Sequence, residues 1–287
     1  MRKIGTINNT KEILEQNDFL MKKKYGQNFL VDQNILMAIV EKAKIDKKVN
    51  VIEIGPGIGS LTEHLLEYAN HVISYEIDEK LIPILTKEFA EYDNFTLINQ
   101  DILKANLKDD INKYFHNDYP IYLVANLPYY ITTPIIMNLL FNIKEISKYV
   151  VMVQKEVADR FAAKKGTKDY NSLSIVISYK ATVEKALFVS RNVFMPKPNV
   201  DSEVVIFNLK QEISHKPRNE EFFYSLVRNS FANRRKTLIN NLNQAYKVDK
   251  GQLTQLLTSL QINENIRSEA LELDDFIKLS DALEMIL

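Results

Sequence analysis

The stretch VNVIEIGPGIGSLTEHLLEY, Val49 to Tyr68, joins an apolar run to a helical pattern through glycines at alternate positions. VNVIEI, residues 49–54, has the β-branched, near-continuous apolar character of a strand buried on both faces. Leu61 to Tyr68 follows a helical period and is opened by Ser60-x-x-Glu63, the spacing of a capping box. Gly55, Gly57 and Gly59 let the backbone turn tightly and approach a ligand closely ahead of a helix N-terminus. Strand, glycine turn and helix together form the first half of a βαβ unit.

The same alternation continues along the chain. HVISYEI (71–77), FTLINQ (95–100), IYLVA (121–125) and YVVMVQ (149–154) read as further buried parallel strands. Helical patterns lie between them at 79–90, 107–115 and Pro134 to Phe141, the last with proline in its first turn. Repeated βαβ predicts a doubly wound α/β sheet. Two late strand patterns, EKALFV (184–189) and SEVVIFNL (202–209), flank the turn-rich MPKPN and are expected to close the sheet as a terminal antiparallel pair, bringing it to seven strands. From Asn219 onward the periodicity is purely helical, so residues 1–210 are expected to form the catalytic domain and residues 211–287 a small all-helical one.

Composition narrows the chemistry. The chain has 287 residues, 46% of them apolar, enough to bury a substantial core. The absence of cysteine removes disulfides and thiolate metal sites, and the four histidines have no ligand-like spacing, so no metal is expected. No signal-peptide h-region opens the sequence and no apolar run is long enough to span a bilayer, which makes a cytoplasmic protein with no membrane partner the expectation. With 37 basic and 37 acidic residues the net charge is zero, yet the charges are segregated. Phe222 to Val248 holds five basic residues and no acid, whereas Glu264 to Leu287 carries seven acids against two bases. Further basic groups stand at Lys22, Lys23 and Lys24 and between Lys155 and Lys168. Any one such cluster is equally well explained as solvated surface.

In a doubly wound sheet ligands sit at the carboxyl ends of the strands. The first of these ends gives Glu53-x-Gly-x-Gly-x-Gly59, a spacing that differs from the G-x-G-x-x-G of dinucleotide enzymes. An acid two positions before the first glycine is instead the pattern of S-adenosylmethionine (SAM) sites in Rossmann-like methyltransferases. The second strand ends at Glu76, whose carboxylate can accept both hydroxyls of a ribose, and the third at Asp101, which can accept from an adenine amino group. Each acid alone is as readily a helix cap. Acids after three consecutive strands are harder to assign to caps.

The fourth strand runs into NLPYYITTP, Asn126 to Pro134. The amino nitrogen of adenine is a poor nucleophile because its lone pair is delocalised into the ring. The Asn126 side-chain oxygen can accept one of its N–H groups while the carbonyl of Leu127 or Pro128 accepts the other, which favours a pyramidal nitrogen aimed at a methyl donor. Pro128 fixes its own φ and restricts the residue before it, and Tyr129 offers a π face to the base. A strand-terminating turn with a buried tyrosine is the competing reading of these four residues alone.

Taken jointly, these features resemble the KsgA/Dim family of ribosomal RNA adenine dimethyltransferases over nearly the whole chain. The resemblance is carried by Lys24-Tyr25-Gly26-Gln27-Asn28-Phe29-Leu30, Glu53 to Gly59, Glu76-Ile77-Asp78, Gln100-Asp101, Asn126 to Tyr129, and Phe194 to Ser202. It implies a class I SAM-dependent methyltransferase with a C-terminal helical domain. It also implies that Gln27, Asn28 and Leu30 close over the methionine end of SAM, and that Gly55, Gly57, Glu76, Asp101 and Asn126 hold the rest. The implied substrate is two adjacent adenosines in a hairpin loop near the 3′ end of small-subunit ribosomal RNA, within a pre-30S particle and acted on by a monomer. Phe194 is implied to stack on the target adenine opposite Tyr129, although before Pro-x-Pro it also reads as a core anchor for a rigid loop. Lys22, Lys23, Lys24, Arg228, Arg234, Arg235 and Lys236 are expected to contact RNA. Related Erm-type enzymes of large-subunit RNA tend to isoleucine where this chain has Leu127. A non-catalytic assembly factor that kept the fold is a third reading. Residue 130 is tyrosine where many KsgA sequences have asparagine, and a place packed under the loop is open to its ring.

Overall fold

The computed structural model describes residues 3–17, 19 and 27–287. The chain divides into two compact units, Met1–Ala158 with Glu184–Leu209, and Asp159–Val183 with Lys210–Leu287. The first unit opens with α1 (Ile7–Gln16), β1 (Phe29–Leu30) and α2 (Gln33–Ala43). It then alternates β2 (Asn50–Ile54), α3 (Ser60–Tyr68), β3 (His71–Glu76), α4 (Ile82–Glu88), β4 (Phe95–Asn99), α5 (Leu107–Tyr114), β5 (Ile121–Asn126), α6 (Thr132–Asn142) and β6 (Ile146–Gln154). After α7 (Lys155–Phe161) and α8 (Ser172–Lys180) come β7 (Ala181–Val189), β8 (Phe194–Met195) and β9 (Ser202–Leu209).

Seven strands form one sheet in the order β4-β3-β2-β5-β6-β9-β7. The α/β class and the strand count agree with the sequence. β2 pairs in parallel with β3 on one side and β5 on the other, so the chain winds outward in opposite directions from the β2–β5 boundary. That boundary is the topological switch point, where the connecting segments diverge and leave a crevice beyond the carboxyl ends of the strands. Every residue of β2 is buried, as its apolar run requires when helices cover both faces. The edge strand β4 is only partly buried.

The late strands β9 and β7 are hydrogen-bonded neighbours, as expected, and β9 also runs antiparallel to β6, which places β7 at the edge of the sheet. Several local expectations are corrected. The capping box does not form. Gly59 is the N-cap of α3 at φ 92, without a side-chain cap, and the Glu63 carboxylate accepts instead from the Ile4 N–H at 3.1 Å. Sequence-distant backbone outcompeted the local partner. Helices α1 and α2 and the β1–β8 pair were not anticipated. In that pair Phe29 faces Met195 and Leu30 faces Phe194, an antiparallel match over more than 160 positions of sequence.

The second unit contains α8, α9 (Glu220–Ser230), α10 (Leu238–Tyr246), α11 (Lys250–Ser259) and α12 (Leu273–Glu284). Asp159–Val183, expected in the first domain, belongs here. The Tyr170 hydroxyl donates to the Leu271 carbonyl at 2.9 Å, and the Tyr179 ring lies 5.2 Å from that of Phe223, centroid to centroid. Periodicity could not show this, because both contacts cross long stretches of sequence. Among the described residues no helix is long and apolar enough to cross a membrane, and no group of three or more potential metal ligands occurs.

Gly59 has two independent reasons to be glycine. Its φ of +92 disfavours L side chains, and a Cβ there would stand 2.5 Å from Cε2 of Phe89. Gly166, at φ +80, has nothing within 4 Å of such a Cβ. Gly59→Ala is therefore expected to cost about 2–5 kcal/mol, the sum of a left-handed backbone penalty and overpacking. Gly166→Ala should cost only the backbone share, about 1–2 kcal/mol. Chemical denaturation of the two variants checks the difference, and equal costs would contradict it.

Candidate active site

The glycine turn is held over the neighbouring strand by its backbone. The Gly55 N–H donates to the Tyr75 carbonyl at 2.9 Å, continuing the β2–β3 ladder past the end of β2. One residue beyond Tyr75, the Glu76 carboxylate accepts from the Gly57 N–H at 3.2 Å and the Asp78 N–H at 2.8 Å. Those bonds aim one carboxylate oxygen at the glycine turn and the other at the loop after β3. Burial pushes the Glu76 carboxyl up to about 7, against the stabilising pull of the two N–H groups. Glu53 is more enclosed. It accepts from the hydroxyls of Thr62 at 2.8 Å and Ser74 at 2.7 Å, which ties α3 to β3 across β2. Burial lifts its carboxyl to about 7 as well.

The end of β5 supplies the second wall. Asn126 is the last residue of the strand and lies opposite Met152 of β6. Its Nδ2 donates to the Asn28 carbonyl at 3.2 Å, which leaves Oδ1 as the acceptor end of the amide. Leu127 is 1% exposed and its N–H is bound by the Met152 carbonyl at 3.2 Å. The Pro128 carbonyl accepts from the Ile131 N–H and the Thr132 hydroxyl, at 3.2 and 3.0 Å, so both of its lone pairs are engaged in opening α6. Tyr129 is half-buried, and its hydroxyl shares a 2.8 Å hydrogen bond with Ser202. Tyr130 is not packed beneath the loop: it is 60% exposed.

The segment before β1 closes the third side. Gln27 Nε2 donates to Asp78 Oδ2 at 3.1 Å. Phe29 packs so near the glycine turn that a Cβ on Gly57 would stand 3.1 Å from its ring. At Gly55, by contrast, a Cβ would meet nothing within 4 Å, so the backbone there borders open space. One cavity is lined by Gln27, Asn28, Leu30, Gly55, Gly57, Glu76, Asp101 and Asn126, together with Leu127, Pro128 and Tyr129. Asp101 lies in its wall, with Oδ1 capping the Leu103 N–H at 3.0 Å.

Other expectations fall differently. Phe194 is 4% exposed, belongs to the apolar core beside Leu30, and is not among the residues that line the cavity. The core-anchor reading describes this placement. Lys22, Lys23 and Lys24 lie outside the described residues. Arg228 is exposed in the last turn of α9, and Arg234, Arg235 and Lys236 are exposed in the turn before α10. The Arg234 guanidinium donates to the Tyr170 carbonyl at 3.4 Å. Sequence reading gave no role to Asp78, Met152 or Ser202, which position Gln27, Leu127 and Tyr129. Asp78 and Ser202 stand within motifs that carry the resemblance, whereas Met152 had no signal beyond its place in an apolar strand.

Comparison with known proteins agrees with this geometry. The family model "Ribosomal RNA adenine dimethylase" matches residues 18–284. Ribosomal RNA small subunit methyltransferase A of Lactococcus lactis subsp. lactis is 50% identical over 282 residues, covering 98% of this chain and 96% of the relative. The protein of the same name from Bacillus cytotoxicus is 48% identical over 286 residues, covering 99% and 98%. Among solved structures, a dimethyladenosine transferase from Plasmodium falciparum superposes with a TM-score of 0.72 at 30% identity, over 86% of this chain and 94% of the other. The 23S rRNA methyltransferase ErmE superposes at 0.69 with 24% identity, over 89% and 99%, which speaks to the fold alone.

The buried carboxyls carry a pH signature. Between pH 4.5 and about 7 Glu53 is protonated in the folded chain and ionised in the unfolded one, so raising the pH through that window removes stability. Glu53→Gln keeps an acceptor for both hydroxyls and should flatten the share of that decline due to Glu53. Urea midpoints at pH 5 and 7.5 test this, and an unaltered pH dependence in the variant would refute it.

Proposed function

The chain belongs to the ribosomal RNA adenine dimethylase family, and from that premise we propose that it converts two adjacent adenosines of small-subunit ribosomal RNA to N6,N6-dimethyladenosine. The substrate is a hairpin loop near the 3′ end of that RNA, within a pre-30S particle. The residues around the cavity fit SAM. Gly55 leaves room where a side chain would intrude, Glu76 offers a buried carboxylate for paired hydroxyls, and Asp101 stands in the wall beyond it. SAM supplies a methyl group on a sulfonium sulfur, already activated for transfer to a nitrogen nucleophile.

The chain's own contribution is placement. Asn126 carries the reading: with Nδ2 held by the Asn28 carbonyl, its Oδ1 is the acceptor for one adenine N–H. Leu127 supplies the second acceptor, since the Pro128 carbonyl is already doubly engaged. These two oxygens hold the amino nitrogen with its lone pair directed at the methyl carbon. Tyr129, steadied through Ser202, stacks on the base. Such stacking contributes about 1–3 kcal/mol, comparable with the few kcal/mol needed to take a nucleotide out of its stack. Holding two reactants in line can account for roughly 7–11 kcal/mol of barrier. No side-chain base is required before transfer. On this reading the second unit serves RNA binding, with Arg228, Arg234, Arg235 and Lys236 as exposed cations.

Similarity favours the small-subunit substrate over an Erm-type one: relatives at 48–50% identity bear the small-subunit name, whereas the ErmE likeness reaches 24%. Mass spectrometry of undermethylated small subunits after incubation with the protein and SAM should find dimethyladenosine at two neighbouring positions. Asn126→Ala should lower single-turnover transfer roughly 10²-fold or more, by analogy with loss of one positioned hydrogen-bond group, while SAM binding weakens but stays measurable. Dimethylation at wild-type rate in that variant would remove the proposed role.

A further inference from the structure

Helix α1 and the residues that lead into it precede residue 18, where the match to the family begins. They are nonetheless built into the core. Ile4, Thr10, Ile13 and Leu14 are buried, and the three apolar ones pack in one cluster with Leu36, Ile39 and Leu61. Polar contacts fix the segment in place. The Lys3 ammonium lies 2.6 Å from the Glu67 carboxylate, and the Ile4 N–H donates to Glu63 at 3.1 Å, both acids belonging to α3. The Thr10 hydroxyl donates to the Ile4 carbonyl at 3.1 Å, and the Thr6 hydroxyl caps α1 by accepting from the Asn9 N–H at 3.3 Å.

Gly5 is the point of closest approach. A Cβ there would stand 2.3 Å from Cδ1 of Leu36, 2.8 Å from Nε2 of Gln33 and 3.4 Å from Cβ of Ser60. Its φ is not left-handed, so space alone requires glycine. Leu36 and Ser60 also line the cavity described above, with Ile39 from α2 and Leu61 from α3. One layer of side chains thus separates the backbone of the arm from the cavity. Beside it, Gln33 Oε1 and His64 Nε2 share a 2.9 Å hydrogen bond that links α2 to α3.

Close-packed interiors have few voids and transmit displacement. We infer that residues 3–10 are the outer support of the SAM cavity and that Gly5 is a positioning residue for the cofactor, holding Leu36 and Ser60 at the cavity surface. The inference rests on the assignment of this cavity to SAM. Gly5 does not itself line the cavity and acts through Leu36. A side chain at position 5 must either drive Leu36 toward the cavity or lift the arm from α2 and α3. Either displacement alters the wall that SAM meets.

Calorimetric titration of the full chain with SAM, in the absence of RNA, reads this effect without methyl transfer. Gly5→Ala should raise the SAM Kd about tenfold, equivalent to about 1.4 kcal/mol, a size that overpacking of a filled interior can supply. Leu36→Val makes room for the new methyl group, so the double variant should lose less affinity than the product of the two single losses. Thr10→Val keeps the shape of the side chain but removes its bond to the Ile4 carbonyl. It should weaken SAM binding about twofold to fivefold, the scale of one net hydrogen bond. Gly166→Ala controls for general destabilisation: it lies in the second unit, is absent from the cavity lining, and should bind SAM as wild type does. Wild-type Kd in both Gly5→Ala and Thr10→Val overturns the inference, as does a loss in Gly166→Ala equal to that in Gly5→Ala, or strict additivity of Gly5→Ala with Leu36→Val. If Gly5→Ala does not fold, Thr10→Val decides alone. A wild-type chain that takes up no SAM overturns the assignment of the cavity and the inference with it, so the two failures are distinguishable.

Discussion

The hydrogen bond from Asn126 Nδ2 to the Asn28 carbonyl joins residues 98 positions apart and ties the segment before β1 to the end of β5. A terminal amide has two ends, and committing the nitrogen to a backbone carbonyl leaves the oxygen as its acceptor end. The same contact brings Gln27, Asn28 and Leu30 to the cavity from an N-terminal segment that lies outside the main sheet. Leu30 is in turn fixed by its register with Phe194, so the mouth of the cavity depends on a two-stranded pairing as well.

The walls of the site derive from one property of the sheet. Because β2 is parallel to both β3 and β5, the glycine turn, Glu76 and Asn126 all emerge at the same edge. The glycine turn stays low through the Gly55-to-Tyr75 bond, and Glu76 grips it from the side through the Gly57 N–H. The carboxylates here are costly to bury. Their raised affinity for protons is the visible trace of that cost, and it is partly offset by hydroxyl and N–H donors supplied by neighbouring elements.

The aromatic residues divide into two kinds. Phe29 and Phe194 are core, and they set the position of the segments that bear the polar groups. Tyr129 is held by its hydroxyl in the wall of the cavity, whereas Tyr130 is largely exposed. A motif of consecutive aromatics therefore contains one positioned ring and one exposed ring. Only the turn geometry separates them, since the two share residue type and neighbourhood in sequence.

The order of elements, the glycine turn and the carboxyl-end acids were legible in the sequence because each depends on local periodicity or on spacing within one βα unit. Those are short-range constraints, and a chain writes them in consecutive residues. What the tertiary structure decided depends on pairs far apart. Glu63 binds Ile4 rather than capping its own helix, Pro128 commits its carbonyl to opening α6, Phe194 goes to the core, and Asp159–Val183 joins the helical unit. In each case several partners of similar chemistry were open to the residue. Packing chose among them, because burying a polar group without its hydrogen bond, or leaving an aromatic ring in water, costs more than any local preference supplies.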